Sequence, residues 1–381
     1  MISFSEVYFN KAIKTTKTRL LKDDPGLTAY SLSDEKTFDI TIGDRVLSEE
    51  IVSGGRVPVY SANVYEEFGR IDKENMKDYS RPSVIWGIDG DWMVNIIPAG
   101  VPFYPTDHCG VLRIKTEKIL PEYMMYALQA EGEYERFSRN NRASAQRIRS
   151  LVVQAPETKI QKNIIDELKA LDDKINGQNA EIEKYENSIR TKFDQIFHLE
   201  EFISDGVFSK YEGYSVEDLC IDGRGRVINQ QYIENHKGPY PVYSSQATND
   251  GIFGSIDTFD FDGEYITWTT DGAKAGTVFY RNGKFNCTNV CGTLKAKNDK
   301  VNMRYLAYLL NRIAYKFVSR VGNNKLMNDA MKKIVVPVPK RQLQDEFADF
   351  VQSVEKSKFE CIGKKEKFEI EKDTFVHKYF R

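Results

Sequence analysis

The sequence is poor in the residues that most chemistry needs. Five cysteines in 381 residues are sparse and odd in number, which argues against a disulfide framework and suits a reducing cytoplasm. Only four histidines are present, and no Ser/His/Asp arrangement is recognisable among them. No apolar run approaches about 18 residues, so no membrane-spanning helix is expected. The N-terminus, MISFSEVYFNKAIKTTKTRL, lacks the apolar core of a signal peptide. Charge of one sign is also missing. Lys and Arg number 54 against 56 Asp and Glu, which excludes a uniformly basic protein that coats nucleic acid but permits local basic patches.

Catalytic motifs are absent in the same way. A methyltransferase would show a cofactor-binding Gly-rich turn and an Asn-Pro-Pro-aromatic motif, and neither occurs. No Walker A sequence is found. Of a Pro-Asp…Glu-x-Lys nuclease motif, only Glu157-Thr-Lys159 is there. Cys287-x3-Cys291 suggests zinc, but no second ligand pair accompanies it. No catalytic residue and no metal ligand is therefore assigned.

What the sequence does have is a long internal repeat. Pro58-Val59-Tyr60-Ser61 returns as Pro241-Val242-Tyr243-Ser244. Trp86 and Asp89-Gly90 return as Trp268 and Asp271-Gly272. Phe103, Thr106, Cys109, Gly110, Leu112 and Lys115 match Phe285, Thr288, Cys291, Gly292, Leu294 and Lys297, all at an offset of 182. The repeat also settles the cysteine pair, because Cys287 matches Pro105 and Cys291 matches Cys109, so core packing is expected. His108 matches Val290, and an apolar or half-buried place is expected for it. The period is too long for a solenoid and implies tandem duplication of a domain.

Each copy has a globular part and a helical part. Short runs such as Ser83–Trp86, Val111–Ile114, Glu264–Trp268 and Gly276–Tyr280 have strand character, with helices near 121–137 and 302–320. From Ile164 the apolar positions step by fours and threes through Leu168, Leu171, Ile175, Gln178, Ile182, Tyr185 and Ile189, the pattern of a coiled-coil seam. A less regular seam follows the second copy, through Phe347, Val351, Val354, Cys361 and Phe368, and Gly363 with its Lys-rich sequel suggests a fraying end. The expected fold is α+β: two tandem-repeat globular domains, each followed by a long α-helix, the helices packed as an antiparallel coiled coil with pseudo-two-fold symmetry. The expected boundaries are 1–41 (an extension without counterpart, with Lys11, Lys14, Lys17, Arg19 and Lys22 on a basic face), 42–157, 158–200, 201–339 and 340–381. By direct count these segments carry net charges of 0, −3, −2, +2 and +1.

Basic and amide residues crowd the loops. Arg139, Asn140, Asn141, Arg142, Ser144, Gln146 and Arg147 fill one stretch, and Arg320, Asn323, Asn324 and Lys325 fill its counterpart. Arg224, Arg226 and Lys274 lie in Gly-containing turns. Arg and Lys suit phosphates and guanine, while Asn and Gln suit adenine. These are the candidate DNA-binding residues, and a shared scaffold with different loops suggests two different readings.

In its order of features the sequence resembles the specificity (S) subunit of type I restriction–modification systems. The features are Asn141–Ile148, Leu151–Pro156 and Gln161 in one copy, and Gly322–Asn328, Ile334–Pro339 and Gln344 in the other, with Thr269–Val278. The first copy departs from the pattern at Gly87–Gly90, where a longer Gly-rich turn is usual. The resemblance implies two target-recognition domains that read the halves of a split, asymmetric site in double-stranded DNA. It implies spacer helices that fix the gap and dock two methylation subunits, with restriction subunits joining the full complex. It implies no catalysis and no cofactor on this chain, S-adenosylmethionine, ATP and Mg2+ belonging to the partners. Two alternatives are a specificity subunit serving a combined nuclease–methyltransferase, and a structural coiled-coil protein.

Overall fold

The computed structural model describes residues 24–197 and 211–380. The basic face at 11–22 lies outside the described residues. Two units divide the chain, one made of residues up to 178 together with those from 364 onward, the other of 179–363.

In the first unit β1 (Thr28–Ser31) pairs antiparallel with β9 (Val152–Ala155). A four-stranded sheet has the order β2 (Phe38–Ile42), β8 (Cys109–Ile114), β5 (Ser83–Gly87), β6 (Val94–Ile97). A three-stranded sheet has the order β4 (Gly69–Ile71), β3 (Val57–Tyr60), β7 (Tyr104–Pro105). Among the described residues they are joined by α1 (Pro121–Tyr134), α2 (Ala145–Arg149) and the first half of α3 (Thr158–Phe197), with the last part of the helix Arg341–Phe380 beside them. One consequence corrects the expected boundary. Residues 28–42 are not a preface but supply the first two strands, with Phe38 and Ile40 buried in the core.

The second unit repeats this plan. β10 (Gly213–Ser215) pairs with β17 (Val335–Pro337), as β1 does with β9. The main sheet is six-stranded, in the order β11 (Cys220–Arg224), β16 (Cys291–Ala296), β14 (Phe261–Thr269), β15 (Val278–Cys287), β12 (Lys237–Tyr243), β13 (Ile252–Ile256). Its helices are α4 (Val216–Leu219), α5 (Gln230–Asn235), α6 (Met303–Ile313), α7 (Asn328–Lys332) and the first part of α8 (Arg341–Phe380). The sheets differ for a reason visible in the sequence. β15 runs unbroken and contacts both β14 and β12. Its equivalent in the first unit is cut into β6 and β7 by Pro98, Gly100 and Pro102, since proline has no N–H to donate to a ladder.

The duplication extends to single hydrogen bonds. The indole N–H of Trp86 donates to the Ala143 carbonyl at 2.8 Å, and that of Trp268 to the Leu326 carbonyl at 2.9 Å. Each indole lies on a glycine, because a Cβ at Gly110 or Gly292 would stand 2.1 or 2.2 Å from the ring. Tyr123 and Tyr305 reach the carbonyls of Gln154 and Pro337. Gln161 accepts from the Leu120 N–H and donates to the Lys118 and Pro156 carbonyls. Gln344 does the same with Asn302, Lys300 and Pro339.

The seam residues are largely covered within each unit. Ile164, Leu168, Leu171 and Ile189 are buried, while Ile175, Gln178, Ile182 and Tyr185 are half-buried. On α8, Phe347, Val351, Val354 and Cys361 are buried and Phe368 is half-buried. In the first unit Lys372 pairs with Asp172 at 2.5 Å. In the second, Lys358 pairs with Glu186, and Lys192 with Glu346 at 2.8 Å. The expected fraying of α8 does not occur. The helix runs through Gly363 to Phe380, whose ring packs 5.0 Å from that of Tyr123. That aromatic anchor holds the end which the Lys-rich sequence leaves weak.

Candidate nucleic-acid interface

The basic stretch of the first unit folds into a tight loop between α1 and α2. Ser138 and Asn141 exchange backbone hydrogen bonds of 3.0 and 2.9 Å, which leaves Arg139 and Asn140 exposed at the tip. The loop is held by its own polar residues. The Asn141 amide donates to the carbonyls of Glu135 and Arg136, at 2.9 and 3.0 Å. Arg147 donates to the Asn141 side chain at 2.6 Å and lies 4.5 Å over the Phe137 ring. Ser144 caps α2 by accepting from the Arg147 N–H. Three of the seven sequence candidates, Asn141, Ser144 and Arg147, are therefore occupied in building the loop. Arg139, Asn140, Arg142 and Gln146 face outward.

Arg142 meets Asp89, which lies in the turn after β5. Its Nη2 donates to Oδ2 at 2.7 Å, and its Nε lies in ion-pair contact with Oδ1. The His108 Nδ1 is bonded to the same Oδ2. His108 is exposed rather than apolar or half-buried, contrary to expectation, because Asp89 gives its ring a polar partner at the surface. Burial raises the Asp89 carboxyl, but the bonds from His108 and Arg142 outweigh it and leave the group below its ordinary value.

The second unit builds the matching loop differently. Ser319 and Lys325 exchange backbone bonds of 2.8 and 3.0 Å, and five residues between them form the tip. Arg320 and Asn323 are exposed there, and Val321 is 92% exposed. Asn324 is half-buried, and its carbonyl accepts from the Gly272 N–H. Lys325 stands 3.9 Å from Asp271. An acid and a cation thus face each other at equivalent places in both units. Ala143 bonds the Ile88 carbonyl where Leu326 bonds that of Thr270, so the two loops enter in the same register.

The remaining candidates divide. Lys274 is exposed in the turn between β14 and β15. Arg224 is exposed, with Nη2 3.5 Å from the Met327 sulfur. Arg226 is engaged with Asp260 at 2.8 Å and lies over Tyr232. The Cys287 and Cys291 thiols are buried beside Phe285, and their mutual hydrogen bond together with burial pushes the Cys287 thiol up. Among the described residues no group of three or more His, Cys, Asp or Glu could hold a metal ion. Among them, too, no helix is long and apolar enough to cross a membrane.

A family model, the type I restriction modification DNA specificity domain, matches residues 37–184 and again 209–372. The chain belongs to this family. A chain of Mycoplasma pneumoniae described as a type I specificity subunit, S.MpnORF365P, is 39% identical over 212 residues, which are 55% of this chain and 77% of that one. The type I restriction enzyme MpnII specificity subunit of the same organism is 47% identical over 147 residues, 38% of this chain and 44% of its own. A crystal structure of a type I restriction-modification system S subunit from M. genitalium shares the fold, with a TM-score of 0.61 at 17% identity, covering 95% of this chain and 98% of that one. The two matched segments of the family fall one in each copy of the repeat.

Sequence reasoning missed the acid partners of the loop cations. Asp89 and Asp271 are each followed by a glycine, which marks only a turn, and their cations lie 53 and 54 residues away. A signal was present: both acid and cation recur at offsets of 182 and 183.

Proposed function

We propose that this chain is the non-catalytic DNA-reading subunit of a type I restriction–modification complex. Each copy of the repeat reads one half of a split, asymmetric site in double-stranded DNA. The observation that carries this reading is the pair of equivalent loops, 138–149 and 319–328, which enter through the same bonds at Ala143 and Leu326 but differ in how they close and in the residues they turn outward. A common scaffold with unlike tips suits two unlike half-sites. The residues proposed to contact DNA are Arg139, Asn140, Arg142 and Gln146 in one half, and Arg224, Lys274, Arg320, Asn323, Asn324 and Lys325 in the other.

The helices α3 and α8 pair antiparallel as a coiled coil. In the second unit Glu186 meets Lys358 and Lys192 meets Glu346, so residue numbers fall along one helix as they rise along the other. A helix of 40 residues is about 60 Å long at ~1.5 Å per residue, longer than one ~34 Å turn of DNA. The helices set the gap between half-sites and dock two methylation subunits. Those subunits bring S-adenosylmethionine, and restriction subunits with ATP and Mg2+ complete the complex. The near-neutral charge makes the chain's own phosphate attraction modest, so the partners supply part of the affinity.

The test maps methylated adenines genome-wide in cells holding the methylation subunit, with this chain present or deleted. The expected result is a bipartite methylated sequence that disappears with the chain. Exchanging residues 211–339 for another such domain should change one half of that sequence only, and a change in both halves would refute the modular reading. Methyl transfer by the purified chain alone would overturn the assignment.

A further inference from the structure

The duplicated acid–cation pair determines more than a loop conformation. We propose that Asp89 and Asp271 are positioning residues for base reading, each presenting one cation, Arg142 or Lys325, to a guanine in its own half-site. The proposal rests on the DNA-reading function above.

The geometry is most explicit in the first unit. A guanidinium has five N–H donors in a planar fork. Asp89 lies along the Nε side of that fork, accepting from Nη2 at Oδ2 and holding Nε in ion-pair contact at Oδ1. What remains is Nη1, with two donors, and the outer N–H of Nη2. Those groups form the end of the fork, which pairs with guanine O6 and N7 in the major groove. The carboxylate thus uses the edge that guanine does not need and fixes the plane of the edge that it does. The Arg142 side chain is 57% exposed, enough to meet a ligand, while that of Asp89 is 24% exposed and anchored also by His108.

The second unit keeps the principle and changes the chemistry. Lys325 and Asp271 stand at the equivalent positions, 3.9 Å apart. Asp271 is itself placed by the Thr270 hydroxyl at 3.2 Å and by its own N–H to Ser245 at 3.2 Å. An ammonium is a point charge with rotating donors, so its orientation is less strictly fixed than that of a guanidinium. Discrimination for guanine should therefore be sharper in the half-site read by the first unit. Each copy kept its acid and its cation although the neighbour of the acid diverged, His108 against Val290.

The experiment uses the full chain in complex with its methylation subunits, on duplexes carrying every single base-pair change in both half-sites. The variants are Asp89→Asn, Asp271→Asn, Arg142→Ala, Lys325→Ala and Asp89→Glu. Asp89→Asn should flatten the preference for one G·C pair in one half-site by on the order of 10-fold. The other half-site should be unchanged, which reports that the complex is intact. Asp271→Asn should do the same in the opposite half, and Asp89→Glu should restore part of the lost preference. Uniform weakening on all sequences would overturn the proposal, since a phosphate contact or a purely structural acid acts that way. Loss of a base preference in Arg142→Ala with none in Asp89→Asn would overturn the positioning role and keep the loop as a reader. Full recognition by both Arg142→Ala and Lys325→Ala would overturn the loop reading itself.

Discussion

Gln161 sits at the first turn of α3 with no exposed surface, and three hydrogen bonds run through its amide. It ties the end of β9, through the Pro156 carbonyl at 2.7 Å, to the entry of α1, through Lys118 and Leu120 at 2.8 Å each. Replacing it with methionine keeps the volume and removes the bonds. Each lost bond costs about 1 kcal/mol net, because the partly buried Leu120 N–H and the Lys118 and Pro156 carbonyls lose their partner. The sum is about 3 kcal/mol, or roughly a hundredfold in the local opening equilibrium. The assay is hydrogen exchange read by mass spectrometry on peptides covering 118–128 and 158–170. Gln161→Met should lose protection there and keep it at 300–310 and 341–350. Gln344→Met should give the mirror image, because its bonds to Lys300, Asn302 and Pro339 are the same three. Protection unchanged in Gln161→Met, or lost equally in both units, would refute the view that this glutamine locks each recognition domain to its own helix.

Three further outcomes are expected. Gly110→Ala and Gly292→Ala each drive a Cβ into an indole and should destabilise by about 1–3 kcal/mol or more, read as a lowered urea midpoint with loss of the native tryptophan fluorescence. Gly363→Ala has no atom within 4 Å of its new Cβ and lies inside α8, so it should raise stability by about 1 kcal/mol in thermal unfolding, and a fall would show that the helix bends there. The Ser215 hydroxyl and backbone N–H hold the Asp218 carboxyl below its ordinary 3.8, so that cap stabilises above this value and is lost as the pH falls through the lowered one. Ser215→Ala, which keeps the backbone N–H bond, should weaken that acid-side dependence in the exchange of 215–220, and an unchanged profile would contradict the cap.

Much of the fold was legible because duplication wrote it twice. Trp86 with Gly110, and Trp268 with Gly292, stand out in the sequence as paired landmarks, and each pair is one indole lying on one glycine. The heptad of α3 gave its extent, since period alone fixes a long helix. The start of the first domain was not legible. Residues 28–42 share only the short match Tyr30-Ser31 and Asp34 with Tyr214-Ser215 and Asp218, at an offset of 184 that breaks the register of the later landmarks, yet they pair the same way. Nor was the end of α8, where the Tyr123–Phe380 contact overrides a sequence weak in local propensity.

The loop residues show the same division. Sequence alone gathered Arg139–Arg147 as one basic and amide cluster. Tertiary structure separated it into residues that build the loop, Asn141, Ser144 and Arg147, and residues that face outward. It also brought Asp89 to Arg142 across 53 residues. What the sequence by itself determined was the duplicated scaffold, since periodicity and repeated landmarks are properties of order along the chain. What only the tertiary structure decided was which polar atoms are already bonded, because a donor's partner is chosen by position in space, and the atoms left over are the ones that can meet a ligand.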